Sequence, residues 1–579
     1  MLRKAIIFCL LAGVFASPAG AAQRALMPGV TYEKRLQFTR FGPQVVHVLT
    51  APKPAGLYGL KPVLSNGAAV GRERVTSMQK RAAASATVAG VNGDRFTWSD
   101  GIPSSGLIQD GVLRTTPHPK RSMVGVDSAG NLRVDRISML GTWQGAGPRR
   151  AIHLVNRPPG PNGTTLFTPS YGAATPANTG AFEAVLSPFP SATPNADLVG
   201  YVSENRRGGT PIPPGGAVLS ARGTQAQRLA VEAVAGEMVT VRLVLRPEWR
   251  DVPEALGGGP ELVRQRRPIF RPAEDFGTDL NRREPRTAVG QTADGRIVMV
   301  VVDGRRPGYS SGITNFELAQ TMVRLGAVTA SALDSGGSST MAVEGELLNR
   351  PSDRAGERYV SEALLVMYYG VYAPETEPAF SPNGDGAGEQ QRLEYKLVKQ
   401  STVTATLTGP DGVVRTIDSG SRRAGLYKFS FPGTSRRGRQ GAASRLAEPE
   451  GRWRWSVTAV DSDGRRSTAD RSFSLNNTLG FISVSPTRMI VGKKRGGRLL
   501  VGFTLTRPAR VSVTITSKTG QLLRVVRNFN GRAGKVAVLW NGRYPSGRPV
   551  YSGTYVAKVV AVNSLGRVEL ARAFRVRRR

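Results

Sequence analysis

The last third of the chain is written twice. Leu393-Glu394-Tyr395-Lys396-Leu397 returns as Val501-Gly502-Phe503-Thr504-Leu505. Val403-Thr404-Ala405-Thr406-Leu407, followed by Asp411-Gly412, returns as Val511-Ser512-Val513-Thr514-Ile515, followed by Thr519-Gly520. Trp453–Val460 with Asp463-Gly464 returns as Tyr555–Val562 with Leu565-Gly566. Within each match apolar and polar residues alternate, the period of a strand with one buried face, and a glycine turn follows. Two such copies, each about a hundred residues of short strands, predict two stacked-sheet sandwiches.

The break between the copies falls near Asn476–Gly480, so the reading is one Ig-like module over 374–478 and a second over 481–579. Pro374-Glu375-Thr376-Glu377-Pro378 reads as the linker ahead of them. The chain has 579 residues, too many for one core. What precedes the linker therefore needs its own core.

Charge is distributed unevenly. The net charge is +37, and Arg (65) far outnumbers Lys (14). The second module alone holds 21 Lys and Arg against one acid, Glu569. Such an imbalance predicts attraction to polyanions: nucleic acid, anionic lipid or an acidic wall polymer. The single cysteine, Cys9, lies in residues 1–22. There Arg3 and Lys4 precede the apolar run Ala5–Ala16, and Ala19-Gly20-Ala21 offers a cleavage site. That pattern predicts a secretory signal peptide and a secreted or envelope-associated chain without thiol chemistry. No later stretch is long and apolar enough to span a bilayer.

The densest chemical constellation is Arg286–Tyr369. Ile297–Val302 reads as a buried strand ending at Asp303-Gly304-Arg305. Thr314 and Glu317 have capping-box spacing, Phe316, Ala319, Met322 and Val323 share a helix face, and Gly326 stops the helix. Ala327–Leu333 then leads into Asp334-Ser335-Gly336-Gly337-Ser338-Ser339. If the two strands pair in parallel, Asp303 and Asp334 share one sheet edge, where α/β sheets place ligands. The N–H groups of Ser335–Ser339 form a candidate anion nest. On spacing alone Glu317 reads as a cap. His47, His118 and His153 lie outside this stretch and in no metal-binding spacing.

In one order the chain carries Val91-Asn92-Gly93-Asp94-Arg95-Phe96, Gly106–Gly111, Gly258–Val263, Arg286–Gly290, Val302–Arg305, Glu317-Leu318-Ala319, Leu333–Ser339, Asn349–Ser352 and Glu357-Arg358. Together they resemble the phosphodiester glycosidase family over about Thr31–Ala373. The resemblance implies a secreted hydrolase that cleaves a sugar–phosphodiester glycosidic bond on an envelope or extracellular glycan, with its catalytic domain over 25–373. It implies Asp303, Asp334 and Glu317 as acid/base carboxylates and Arg286, Arg305 and Arg358 as phosphate clamps. Asn92 and Asn349 become sugar hydrogen-bonders, and Gly336, Gly337, Ser338 and Ser339 the substrate loop. Ser335 stands where the family has glycine, which predicts strain if that position needs a positive φ.

With Trp540-Asn541-Gly542, Gly547 and Ser552-Gly553-Thr554-Tyr555, the tail resembles the Ig-like module of flagellar hook-capping proteins. Asn383 and Asp385, with Glu389 behind them, are a weak candidate Ca²⁺ loop; no other metal site is expected. The fold class expected is an α+β catalytic domain with a mixed sheet, followed by two all-β Ig-like sandwiches. The expected partners are the phosphodiester-linked glycan and, through 481–579, an anionic wall polymer. Two rival functions remain at this stage, a non-catalytic glycan or wall binder and a basic polyanion binder.

Overall fold

The computed structural model describes residues 23–177, 180–269, 274, 276, 280–437, 444–492 and 497–579. The signal peptide expected over 1–22 lies outside the described residues. The chain divides into two compact units, Met1–Tyr368 and Tyr369–Arg579.

The elements that hold the site in the first unit are β1 (Gly42–Ala51), β2 (Thr87–Asn92), β3 (Glu261–Arg264), β4 (Arg286–Thr292), β5 (Ile297–Val302), α1 (Asn315–Arg324), β6 (Ala327–Ala332), β7 (Met341–Val343) and β8 (Glu362–Tyr368). An eight-stranded sheet carries β1, β5, β4, β6 and β3 side by side. Every pairing in it is antiparallel. The expected parallel pairing of β5 with β6 is therefore corrected, while another eight-stranded sheet of this unit is mixed, with Leu154–Val155 parallel to Thr164–Phe167. β4 runs between β5 and β6 and pairs antiparallel with both, so β5 and β6 still point the same way. Asp303 and Asp334 consequently leave the same edge of the sheet, where β4 begins with Arg286.

A second, five-stranded antiparallel sheet carries β7, β2 and β8. In it Asn92 at the end of β2 pairs with Ala363, next to Glu362 at the start of β8. β2, β5 and β8 are buried along their full length, which explains their unbroken apolar runs.

α1 starts with the capping box the spacing predicts. Thr314 Oγ1 accepts from Glu317 N–H at 3.3 Å, and Glu317 Oε2 accepts from Thr314 N–H at 3.0 Å. It ends at Gly326, whose φ of +88° suits glycine. The buried face is Leu318, Ala319 and Met322, packed on the apolar side of the sheet. Phe316 points outward, so the face is turned from the one expected.

The second unit contains both repeats. In the first, Ser401–Thr408 pairs with Gly451–Asp461; in the second, Ala509–Ser517 pairs with Gly553–Asn563. Leu407 faces Trp455 as Ile515 faces Ala557, and Val403 faces Ala459 as Val511 faces Ala561. The sequence match and the strand register are thus the same correspondence. Trp453, Trp455 and Tyr395 fill the first core, and Trp540, Phe503 and Phe574 the second.

Candidate functional site

Asp303 and Asp334 share an edge but not an environment. The Asp303 side chain is fully buried. Its Oδ2 accepts from His47 Nε2 and from Tyr309 O–H, both at 3.0 Å, and its Oδ1 accepts from Asn349 Nδ2 at 3.0 Å. The Arg350 N–H adds a fourth donor at 3.2 Å. Burial alone would raise the Asp303 pKa, but donation from His47, Asn349 and Tyr309 outweighs it and holds the carboxylate below its ordinary value. An ionised group with every lone pair engaged cannot donate a proton, so Asp303 is corrected from acid/base candidate to the centre of a buried scaffold. His47 enters the site through it, contrary to the expectation that all three histidines stay outside. Its Nδ1 is 2.8 Å from Tyr32 Oη.

Asp334 is different. Its side chain keeps 14% of its surface exposed, and Arg95 Nε lies 3.9 Å from Oδ1. Oδ1 accepts the Ser335 N–H at 2.8 Å. Burial raises its pKa, opposed by hydrogen bonding from Ser338 and by the positive charges of Arg95 and Arg358. Behind it stand two carboxyls absent from the candidate set, Asp94 and Glu362. Asp94 N–H donates to Glu362 Oε1 at 2.7 Å, and Ser361 O–H donates to Glu362 Oε2. Asp94 Oδ2 is buried and has no hydrogen-bond partner among the described residues. Burial, with the nearby negative charge of Asp334, pushes Asp94 up to about 7, and burial with Asp94 pushes Glu362 well above the carboxylate range. The positive charges of Arg121 at Asp94 and of Arg157 at Glu362 oppose these rises. Gly257 permits the packing, since a Cβ there would sit 2.0 Å from Asp94 Oδ2.

The loop after Asp334 is closely held. Ser335 has φ −122° and ψ −174°, ordinary extended backbone, so no strain attaches to its replacing glycine. Its Oγ accepts from Arg286 Nη1 at 3.3 Å. Gly336 is the position with positive φ (+68°), and Arg305 lies against it. Gly337 leaves room for Asp353 and Arg358, which a Cβ would meet at 2.0 and 2.2 Å. Ser338 Oγ accepts from Arg358 Nη1 at 3.3 Å, and Ser339 O accepts from Asn349 at 3.0 Å. Three of the five N–H groups of the expected nest are engaged within the protein, by Asp334 Oδ1, Pro285 O and Gly336 O.

Residues 192–367 match the phosphodiester glycosidase family. Residues 489–564 match the FlgD Ig-like domain. Over 141 residues the chain is 36% identical to the SPbeta prophage-derived uncharacterized protein YomE of Bacillus subtilis (strain 168), covering 24% of this chain and 21% of that protein. Over 119 residues it is 37% identical to the N-acetylglucosamine-1-phosphodiester alpha-N-acetylglucosaminidase of Bos taurus, covering 20% of this chain and 21% of the relative. The chain thus aligns with about a fifth of either curated relative. The crystal structure of a hypothetical protein from Synechocystis shares the fold, with 23% identity and a TM-score of 0.51 over 61% of this chain and 64% of that one. The family match is shorter than the stretch over which the motifs resemble the family.

Within the glycosidase-like region, several expected roles change. Asn92 is completely buried, donating to Asp334 O and Gly93 O and accepting from Thr287 O–H and Thr340 N–H. Asn349 is bonded to Asp303, Ser339 and Met341. Both asparagines therefore brace the site. Arg286 is buried with its guanidinium on the carbonyls of Arg282 and Ile313, so it ties segments together and does not clamp phosphate. Glu317 caps α1 and pairs with Arg283, which corrects its catalytic assignment. Arg305 pairs with Glu284, and Arg358 with Asp353 at 2.8 Å. Arg358 keeps a face toward Ser338 and Asp334, as Arg95 does toward Asp334.

The signals for the missed groups were faint. Asp94 stands two residues after Asn92. Glu362 is a lone charge opening the otherwise apolar run Glu362–Tyr368. In the second unit, the loop read as a Ca²⁺ candidate closes on itself. Asn383 Oδ1 accepts Asp385 N–H, Asp385 Oδ1 accepts Ala387 N–H, and Glu389 accepts from Gly384 and Gly386. Asp385 Oδ2 accepts Phe481 N–H at 2.6 Å. These oxygens lock a turn. Among the described residues no cluster of three or more metal-ligating side chains occurs, and no helix is long and apolar enough to cross a membrane.

Proposed function

We propose that the chain hydrolyses the glycosidic bond of a sugar 1-phosphodiester, as a secreted enzyme acting on an envelope or extracellular glycan. The observation that carries this reading is the setting of Asp334. It is the carboxylate of the expected pair that reaches solvent, two guanidiniums face it, and a buried acid pair lies behind it. The name of the bovine relative describes hydrolysis of such a diester.

In this reading Asp334 takes the proton of a water that attacks the anomeric carbon. The bond from that carbon to the phosphate oxygen breaks, and the phosphate leaves as a monoester with the electron pair. Arg95 and Arg358 neutralise charge growing on the leaving oxygens, where a guanidinium fork matches phosphate geometry. Asp94 and Glu362, whose burial disfavours their charged forms, limit the negative charge beside Asp334.

The test is release of sugar and phosphomonoester from N-acetylglucosamine 1-(p-nitrophenyl phosphate) in ¹⁸O-labelled water. Label in the sugar supports the reading. Label in the phosphate, or no turnover by folded protein, overturns it. The basic module over 481–579 fits an anchor to an anionic envelope polymer, a role tested separately below.

A further inference from the structure

Arg358, one of the two guanidiniums facing Asp334, also lines a groove of about 500 Å³ whose other residues the proposed chemistry does not use. Its most unusual feature is Trp98. The chain has six tryptophans; Trp143, Trp249, Trp453, Trp455 and Trp540 are buried, whereas Trp98 is 61% exposed. A large aromatic surface left in water costs free energy unless something covers it in use. What approaches Trp98 here is charge. The guanidiniums of Arg72 and Arg358 lie 5.6 and 5.2 Å from its ring centre. Arg74 lies 4.8 Å from the ring of Tyr359, itself half exposed. Among the described residues Arg72 and Arg74 have no carboxylate partner, in contrast to Arg358, which Asp353 holds.

Arg358 joins this groove to the site. It lines the groove wall with Asp353, and its Nη1 reaches Ser338 Oγ in the loop that follows Asp334. A substrate whose phosphate sits at Arg358 has its anomeric sugar toward Asp334 and its other substituent over Trp98. Two aromatic faces interleaved with three guanidiniums match a chain in which sugar rings alternate with phosphates. The C–H face of a pyranose packs on a ring, and each phosphate meets a fork of N–H donors.

Resting on the hydrolase reading, we propose that the Trp98–Tyr359 groove binds the leaving-group side of the substrate, holding a second sugar on Trp98 and a further phosphate between Arg72 and Arg74. The enzyme's substrate would then be a sugar–phosphate polymer and not a small diester.

Two probes separate the possibilities: N-acetylglucosamine 1-(methyl phosphate), and N-acetylglucosamine 1-phosphate esterified to the 6-hydroxyl of methyl glucoside. Trp98→Phe and Trp98→Ala, at an exposed position, should melt like the parent chain. The disaccharide diester should quench the exposed-indole fluorescence of the parent and leave Trp98→Phe unchanged. Trp98→Ala should raise KM for the disaccharide diester about tenfold, the scale of one lost stacking contact. Its KM for the methyl diester should stay at the parent value. Equal effects on both probes, or none on either while both are hydrolysed, overturn the groove and leave the hydrolase reading standing. Quenching without turnover of either probe overturns the hydrolase reading and keeps the groove. Quenching by an oligothymidylate but by neither sugar diester assigns the groove to nucleic acid and overturns the proposal.

Discussion

Two aspartates that look alike in the sequence behave differently because of their neighbours. Each follows a run of small and branched residues and precedes a glycine-containing loop. Asp303 meets four donors and is sealed; Asp334 meets solvent and two arginines. Replacing Asp334 with Asn keeps shape and removes charge, and kcat should fall about a hundredfold or more with the melting temperature nearly unchanged. Parent-like turnover in folded Asp334→Asn would remove it from the chemistry. Asp303→Asn should instead show its effect first in stability, since it leaves His47 and Tyr309 facing a partner that no longer carries charge. Asp94 makes a pH prediction. Folding raises its pKa from 3.8 to about 7, so the folded chain holds a proton that the unfolded chain releases. The stability tied to that proton is complete below the unfolded value of 3.8 and is lost as pH rises through about 7. Asp94→Asn should flatten this decline in denaturant titrations across the same window. An unchanged slope would show that Asp94 ionises normally. No sequence pattern announces these differences, because the donors facing Asp303 come from positions 6 to 256 residues away.

At the scale of elements, local signals were readable and pairings were not. The capping box at Thr314 and Glu317 and the stop at Gly326 form as spaced, because they depend on neighbours within one turn. The parallel pairing of β5 with β6 failed because β4, which lies before β5 in the chain, takes the place between them. Even so, the shared edge was legible, since two strands antiparallel to a common neighbour point the same way. The outward turn of Phe316 has the same origin: which side of α1 is covered depends on the sheet beneath it. Glu317 tests the distinction between cap and catalyst. Glu317→Gln weakens the bond to Thr314 N–H and the pair with Arg283, and should cost about 1 kcal/mol of stability, the usual worth of a cap. Its kcat should stay within about twofold of the parent, far from the losses typical of acid–base groups. Abolished turnover at unchanged melting would return Glu317 to the chemistry.

At the scale of the whole molecule, the second module is an electrostatic object. Its fold was the most legible part of the chain, since a duplicated alternation predicts both the strands and their shared register. Its charge has no folding rationale. In 481–579 the one acid, Glu569, sits between Lys558 and Arg567, leaving the other cations of the module without a carboxylate of their own segment. Val511, Val513 and Ile515 turn inward, so Arg510, Ser512 and Thr514 face out on the five-stranded sheet. Lys558 and Arg567 stand beside them, lining a shallow groove of about 340 Å³. Like charges gathered on one face repel, and an arginine-rich composition alone does not explain why acids nearly vanish from this segment. The proposed attraction to an anionic polymer would account for it, with the polymer's phosphates or carboxylates spread over the face. Such binding is screened over a Debye length of about 10 Å at 0.1 M salt, so it should weaken steeply as salt rises to physiological strength. The measurement is co-sedimentation of the full chain with isolated cell walls, before and after extraction of their anionic polymers, across a salt series. Retention should be lost on extraction, lost with salt, and reduced at low salt by Arg510→Glu with Arg567→Glu, while hydrolysis of a small soluble diester is unaffected. Retention that ignores salt, extraction and the charge reversal would mean that the module holds on by shape and apolar contact, and that its charge serves something else.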